Sequence, residues 1–181
     1  MIHAANIITI SRIVLIIPVL LLVSEEKNLS NWFALILFVL AGITDNLDGY
    51  IARKMNTESP VGALLDLIAD KLLVVIIISY LVSITTNIYL VIPAMLIIFR
   101  ELVVSSFRQF LAERKGSNPI QVSFIAKSKT TLQIIALSFL IISPNFGKYF
   151  YFLTIILFYL AAIASLSSLY AYIKNYKNYI K

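Results

Sequence analysis

The sequence predicts an all-α integral membrane protein: six transmembrane helices in a single domain spanning residues 1–181. Three observations carry this prediction. Of 181 residues, 60% are hydrophobic and only 13% charged, and the apolar residues gather into six stretches separated by short polar connections. A soluble domain is about 25% charged and 45–50% apolar, so the composition argues against a soluble globular enzyme. Mean hydropathy is +0.93, and at about 20 residues per crossing the length suits five to seven spans. Lipid offers no partner for backbone N–H and C=O groups, so each span must satisfy its own as a helix.

The first stretch covers residues 7–23, is interrupted by Arg12 and ends at the polar run 24–31. The second covers 32–51 and the third 61–84, after a polar connection over 53–60. The fourth runs from 88 to 111 and into Glu113, Arg114, Lys115 and Gly116. The fifth covers 129–142 and the sixth 149–173. Pro60, Gly116, Pro119, Pro144 and Gly147 fall between or near the ends of stretches, as helix boundaries require. No internal repeat, low-complexity linker or second domain interrupts this order.

The chain has no cysteine, and its one histidine is His3. Disulfides, zinc–thiolate sites, cysteine nucleophiles and a Ser-His-Asp triad are therefore excluded. Fifteen Lys and Arg stand against nine Asp and Glu, a net +6. The connections after the second and fourth stretches, with the tail, hold Arg53, Lys54, Arg114, Lys115, Lys127, Lys174, Lys177 and Lys181, whereas the alternate connections hold Lys27 and Lys148. By the positive-inside rule both termini face the cytoplasm. The basic excess then reads as topology and contact with anionic headgroups, and nucleic acid is not expected as a partner. Tyr170, Tyr172, Tyr176 and Tyr179 fit an interfacial aromatic belt. Arg12 breaks the order of a signal peptide and no A-x-A cleavage site follows, so the first stretch reads as a retained span, with Arg12 as a snorkelling anchor in preference to a headgroup contact.

Four of the nine acids, Asp45, Asp48, Asp66 and Asp70, fall within 26 residues at the ends of apolar stretches. Each would cost about 2.5–3.5 kcal/mol at a lipid-facing helix centre, so together they must face a polar cavity or a cation. Asp45, Asp48, Gly49 and Ala52 share one helical stripe, and Gly62, Asp66 and Asp70 share another. Two antiparallel helices joined by a short loop can aim all four carboxylates at one point. An oxygen-only donor set favours Mg²⁺, Mn²⁺ or Ca²⁺, and about two divalent ions would balance four negative charges. Gly49, Ala52 and Gly62 leave room for a bulky ligand, and the planar fork of Arg53 suits phosphate oxygens. Other readings are structural ion pairs with Arg53, Lys54 and Lys71, or a cation transporter using the aspartates as its pathway.

The full pattern, Asp45-x2-Asp48-Gly49-x2-Ala52-Arg53-x8-Gly62-x3-Asp66-x3-Asp70, resembles the signature of the CDP-alcohol phosphatidyltransferases, six-helix membrane enzymes usually found as homodimers. The resemblance implies two ions, normally Mg²⁺ with Mn²⁺ able to substitute, held by Asp45, Asp48, Asp66 and Asp70. It implies CDP-diacylglycerol bound by Thr44, Asp48, Gly49, Ala52, Arg53 and Gly62. It also assigns Asp70 as the base that activates the acceptor hydroxyl, alongside its part in metal binding.

Further similarity points to the phosphatidylglycerophosphate synthase branch of that family. Asn6-Ile7-Ile8-Thr9-Ile10-Ser11-Arg12 leading to Pro18 resembles its N-terminus, and Arg100-Glu101, Arg108, Lys127-Ser128-Lys129-Thr130 and Gln133 are similar to its later segments. The implied acceptor is glycerol 3-phosphate, whose phosphate would need a cationic pocket of its own from Arg100, Arg108, Lys127 and Lys129. Arg100 also has a structural reading, as a pair with adjacent Glu101 or with one of the motif aspartates. Serine, an inositol compound or phosphatidylglycerol would be the acceptor in sibling enzymes. The expected location is a bacterial-type inner membrane, with the site facing the cytoplasm.

Overall fold

The computed structural model describes the backbone of residues 4–55, 60–85, 87–115 and 124–180, and side chains at 9–43, 62, 65, 68–69, 71–85, 87–107, 109–110 and 130–174. Among these residues the fold is six helices and no strand: α1 (Ala4–Ser24), α2 (Asn28–Met55), α3 (Pro60–Thr85), α4 (Ile88–Lys115), α5 (Phe124–Ile142) and α6 (Lys148–Ile180), with a 3-10 turn at Ser143–Asn145 before α6. Each helix contains one of the apolar stretches. At 1.5 Å per residue, the 28 residues of α2 and of α4 extend about 42 Å and the 33 of α6 about 50 Å. The hydrocarbon core of a bilayer is about 30 Å thick, so each of these helices is longer than that core.

Two described stretches, Ile88–Phe107 and Lys148–Lys174, are long and apolar enough to cross a membrane, and four shorter apolar stretches lie in the other helices. Large apolar side chains such as Ile17, Leu21, Met95, Leu102, Phe152 and Ile163 point outward, exposed on the helix surfaces. An outer surface of this kind is stable against lipid and a liability in water.

Helix α1 packs against both α2 and α3; α5 packs against α6 and α2, and α4 against α6 and α3. The buried face of α1 reads Thr9, Arg12, Ile16, Val19, Val23, a three–four alternation that keeps one seam turned to its neighbours. On α2 the seam is Ala34, Phe38 and Ala41, and on α3 it is the aliphatic run Leu73, Val74, Ile77, Ile78, Leu81. Ala136 on α5 and Ala161, Ala162 and Ser165 on α6 are buried small residues, which let these two helices approach closely.

One end of the bundle is clasped. The Asn31 side-chain amide donates to Asn145 Oδ1 at 2.8 Å, and Asn145 Nδ2 donates to the Asn28 carbonyl at 2.9 Å. This joins the α5–α6 turn to the start of α2. Trp32 meets Phe146 edge-on at 6.3 Å, and Phe150 stacks on both Phe146 and Phe139. In the adjoining α1–α2 turn the Ser30 hydroxyl donates to Glu25 at 2.6 Å, and with Lys27 nearby it holds the Glu25 carboxyl below its ordinary value.

Candidate active site

The acidic motif lies at the opposite ends of α2 and α3 from this clasp. Asp45, Asp48, Gly49, Ala52 and Arg53 lie in the C-terminal half of α2, after Thr44, and Gly62, Asp66 and Asp70 lie in the N-terminal half of α3. Both helices are continuous there, so each acidic set keeps its common stripe. Gly62 is half-buried and Ala69, between the two α3 acids, is fully buried. The side chains of Thr44, Asp45, Asp48, Gly49, Ala52, Arg53, Asp66 and Asp70 lie outside the described residues, as do those of Arg108, Lys127 and Lys129. In backbone terms Arg108 is near the C-terminal end of α4, and Lys127 and Lys129 are in the first turns of α5. The donor chemistry of the two acidic stripes, carboxylate oxygen alone, fits hard divalent ions.

Arg12 corrects the sequence reading. Placed as a snorkelling anchor, it is instead 1% exposed on the seam of α1, the helix that packs against both aspartate-bearing helices. A guanidinium withdrawn from both water and headgroups must be compensated inside the bundle, and Arg12 does engage in polar interactions there. The signal was present in the sequence: Arg12 falls in the same three–four alternation as Ile16, Val19 and Val23, and a snorkelling residue would fall outside it.

Arg100 is 3% exposed. Its Nη1 donates to Glu101 Oε1 at 3.1 Å and its Nη2 to Ser168 Oγ on α6 at 2.9 Å. Gln133 on α5 donates through Nε2 to the same Glu101 oxygen at 3.2 Å and to Ser165 Oγ at 3.0 Å. Lys71, directly after Asp70, donates to Ser105 Oγ and, at 3.5 Å, to the Glu101 carbonyl, both on α4. The Arg100–Glu101 pair matches the structural reading of these two residues. The links to Gln133, Ser165, Ser168 and Ser105 join residues up to 68 positions apart, a separation over which sequence spacing carries no pairing signal.

An apolar groove of about 550 Å³ lies between α4 and α6, lined by Tyr89, Phe152, Ile155, Ile156, Tyr159 and Leu160. It is near the start of both helices, away from the aspartates, and has no charged lining residue, so it is no place for a phosphate.

The family model for CDP-alcohol phosphatidyltransferases matches residues 2–167. The chain belongs to the CDP-alcohol phosphatidyltransferase family. It is therefore a membrane-embedded transferase. Among this phosphatidyltransferase's relatives, a protein from Rickettsia bellii is 41% identical over 96% of this chain and 95% of its own length. One from Rickettsia felis is 43% identical over 96% and 95%. One from Haemophilus influenzae is 35% identical over 92% and 89%. Each of the three is named CDP-diacylglycerol–glycerol-3-phosphate 3-phosphatidyltransferase.

Proposed function

We propose that this chain transfers the phosphatidyl group of CDP-diacylglycerol to glycerol 3-phosphate, giving phosphatidylglycerophosphate and CMP. The observation that carries this reading is the acid–glycine pattern shared by α2 and α3 in a chain that matches so-named relatives over nearly its whole length.

In this mechanism Asp70 accepts the proton of the acceptor's terminal hydroxyl. The hydroxyl oxygen attacks the β-phosphorus, a new P–O bond forms, and the bond to the bridging oxygen breaks as CMP leaves. Thr44, Asp48 and Arg53 hold the CDP portion, while Gly49, Ala52 and Gly62 let it lie close to the backbone. Asp45, Asp48, Asp66 and Asp70 are the residues that would hold two divalent ions, normally Mg²⁺. When bound, such ions neutralise charge on the diphosphate. Positioning and electrostatic stabilisation supply most of the acceleration in phosphoryl-type transfer.

Arg108, Lys127 and Lys129 bind the acceptor's phosphate, while Arg100, its charge balanced by Glu101, braces α4 against α6. A phosphate-free acceptor such as serine would need no such set, which favours glycerol 3-phosphate over it. We further propose six membrane spans, both termini and the site on the cytoplasmic side of an inner membrane, and a homodimer.

Two substitutions test the reading. Asp70→Asn should abolish CMP release, and near-normal release would refute the base assignment. Gly49→Leu should block CDP-diacylglycerol turnover by filling the diphosphate floor. A cation transporter would tolerate that change with its transport intact.

A further inference from the structure

We infer that Lys71 is a positioning residue for the acidic stripe of α3, acting through α4. The inference rests on the proposed role of Asp66 and Asp70. Beyond them the buried face of α3 is smooth aliphatic surface, Leu73, Val74, Ile77, Ile78 and Leu81. Between helices in lipid such surface is held by van der Waals packing with no added hydrophobic drive, so a polar tie contributes a fixed direction. Lys71 supplies the direction. Its ammonium donates to Ser105 Oγ and, at 3.5 Å, to the Glu101 carbonyl, tying α3 to α4 one residue past Asp70.

The anchor point on α4 is itself held from two sides. Glu101 Oε1 accepts from Arg100 and from Gln133 on α5, and these two donors reach Ser168 and Ser165 on α6. Rotation of α3 is thereby referred to the α4–α5–α6 assembly that also carries Arg100, Arg108, Lys127 and Lys129. With side chains about 6 Å from a helix axis, a slip of about 10° moves a carboxylate about 1 Å. A displacement of that size costs on the order of 100-fold in rate. Lys71 acts in this role through Ser105 and the Glu101 carbonyl on α4. It acts by fixing where Asp66 and Asp70 stand.

The test compares Lys71→Met, Lys71→Arg and Ser105→Ala with the unaltered full-length enzyme in detergent. The readouts are kcat, the KM of each substrate, the Mg²⁺ concentration for half-maximal rate, and the rise in unfolding temperature on adding Mg²⁺. Lys71→Met should lower kcat about tenfold or more, raise the Mg²⁺ requirement several-fold and shrink the Mg²⁺-dependent thermal rise. Lys71→Arg should restore most of each. Ser105→Ala leaves every charge in place and should shift all three readouts in the same direction by less, so it carries the test if Lys71→Met does not fold. The inference is overturned if the variants lower only the metal-free unfolding temperature, with kcat and Mg²⁺ requirement within twofold of the unaltered enzyme. Should the unaltered enzyme turn over no CDP-diacylglycerol, the functional reading fails and the inference with it. Normal turnover in both the enzyme and its variants defeats the inference alone.

Discussion

Gln133 on α5 donates to Glu101 Oε1 on α4 across 3.2 Å, the same oxygen that accepts Arg100 Nη1 at 3.1 Å. One carboxylate oxygen thus gathers two helices and neutralises a buried cation. Glu101→Ala removes the carboxylate that lies against Arg100 and leaves a buried charge poorly compensated. Loss of one member of such a pair costs about 3–5 kcal/mol. Thermal unfolding in detergent should show that loss. Gln133→Leu, which leaves the ion pair intact, should cost about 1 kcal/mol.

Arg12 separates a buried structural role from a headgroup role. Its burial on the seam facing α2 and α3 predicts that Arg12→Leu lowers turnover at least tenfold, and that Arg12→Lys restores little, because a point ammonium does not reproduce a planar fork. A headgroup anchor would accept lysine without loss. Initial rates of the two variants at matched expression decide the matter.

The clasp at the far end should contribute to stability without touching chemistry. Asn145→Ala removes the hydrogen bonds to Asn31 and to the Asn28 carbonyl, a cost of about 1–3 kcal/mol. The unfolding temperature should fall while the KM of both substrates stays unchanged, as measured at a temperature where the variant is folded.

The absence of cysteine makes the chain a ready background for topology mapping. Single cysteines at Glu26, Asn87 and Gly147 should react with an impermeant maleimide added outside intact cells. Cysteines at Thr57, Gly116 and Lys177 should react only after permeabilisation. That alternation is the outcome six spans with internal termini require.

The helices were legible because lipid makes apolar runs self-contained: Pro60 opens α3 and Pro144 sits in the turn before α6, where chain-breaking residues predict boundaries. The aspartate stripes were legible because charge is rare in such a chain, and each acid therefore carries information. Cross-helix pairing was not. Gln133 and Ser165 carry no mark that they meet, and Lys71 sits beside the aspartates in sequence yet reaches Ser105 on α4. These contacts depend on how seams face one another, which is a tertiary property. The burial of Arg12 lay between the two cases, readable from its register with Ile16 and Val19 once that register is given more weight than its charge.

Identifying the lipid product distinguishes the possible acceptors. Purified protein is incubated with CDP-diacylglycerol and Mg²⁺ and, in separate reactions, glycerol 3-phosphate, serine, an inositol phosphate or phosphatidylglycerol, and the lipids are analysed by mass spectrometry. Glycerol 3-phosphate should give phosphatidylglycerophosphate with stoichiometric CMP, and the other acceptors no new lipid. Product from serine with none from glycerol 3-phosphate would contradict the proposed function.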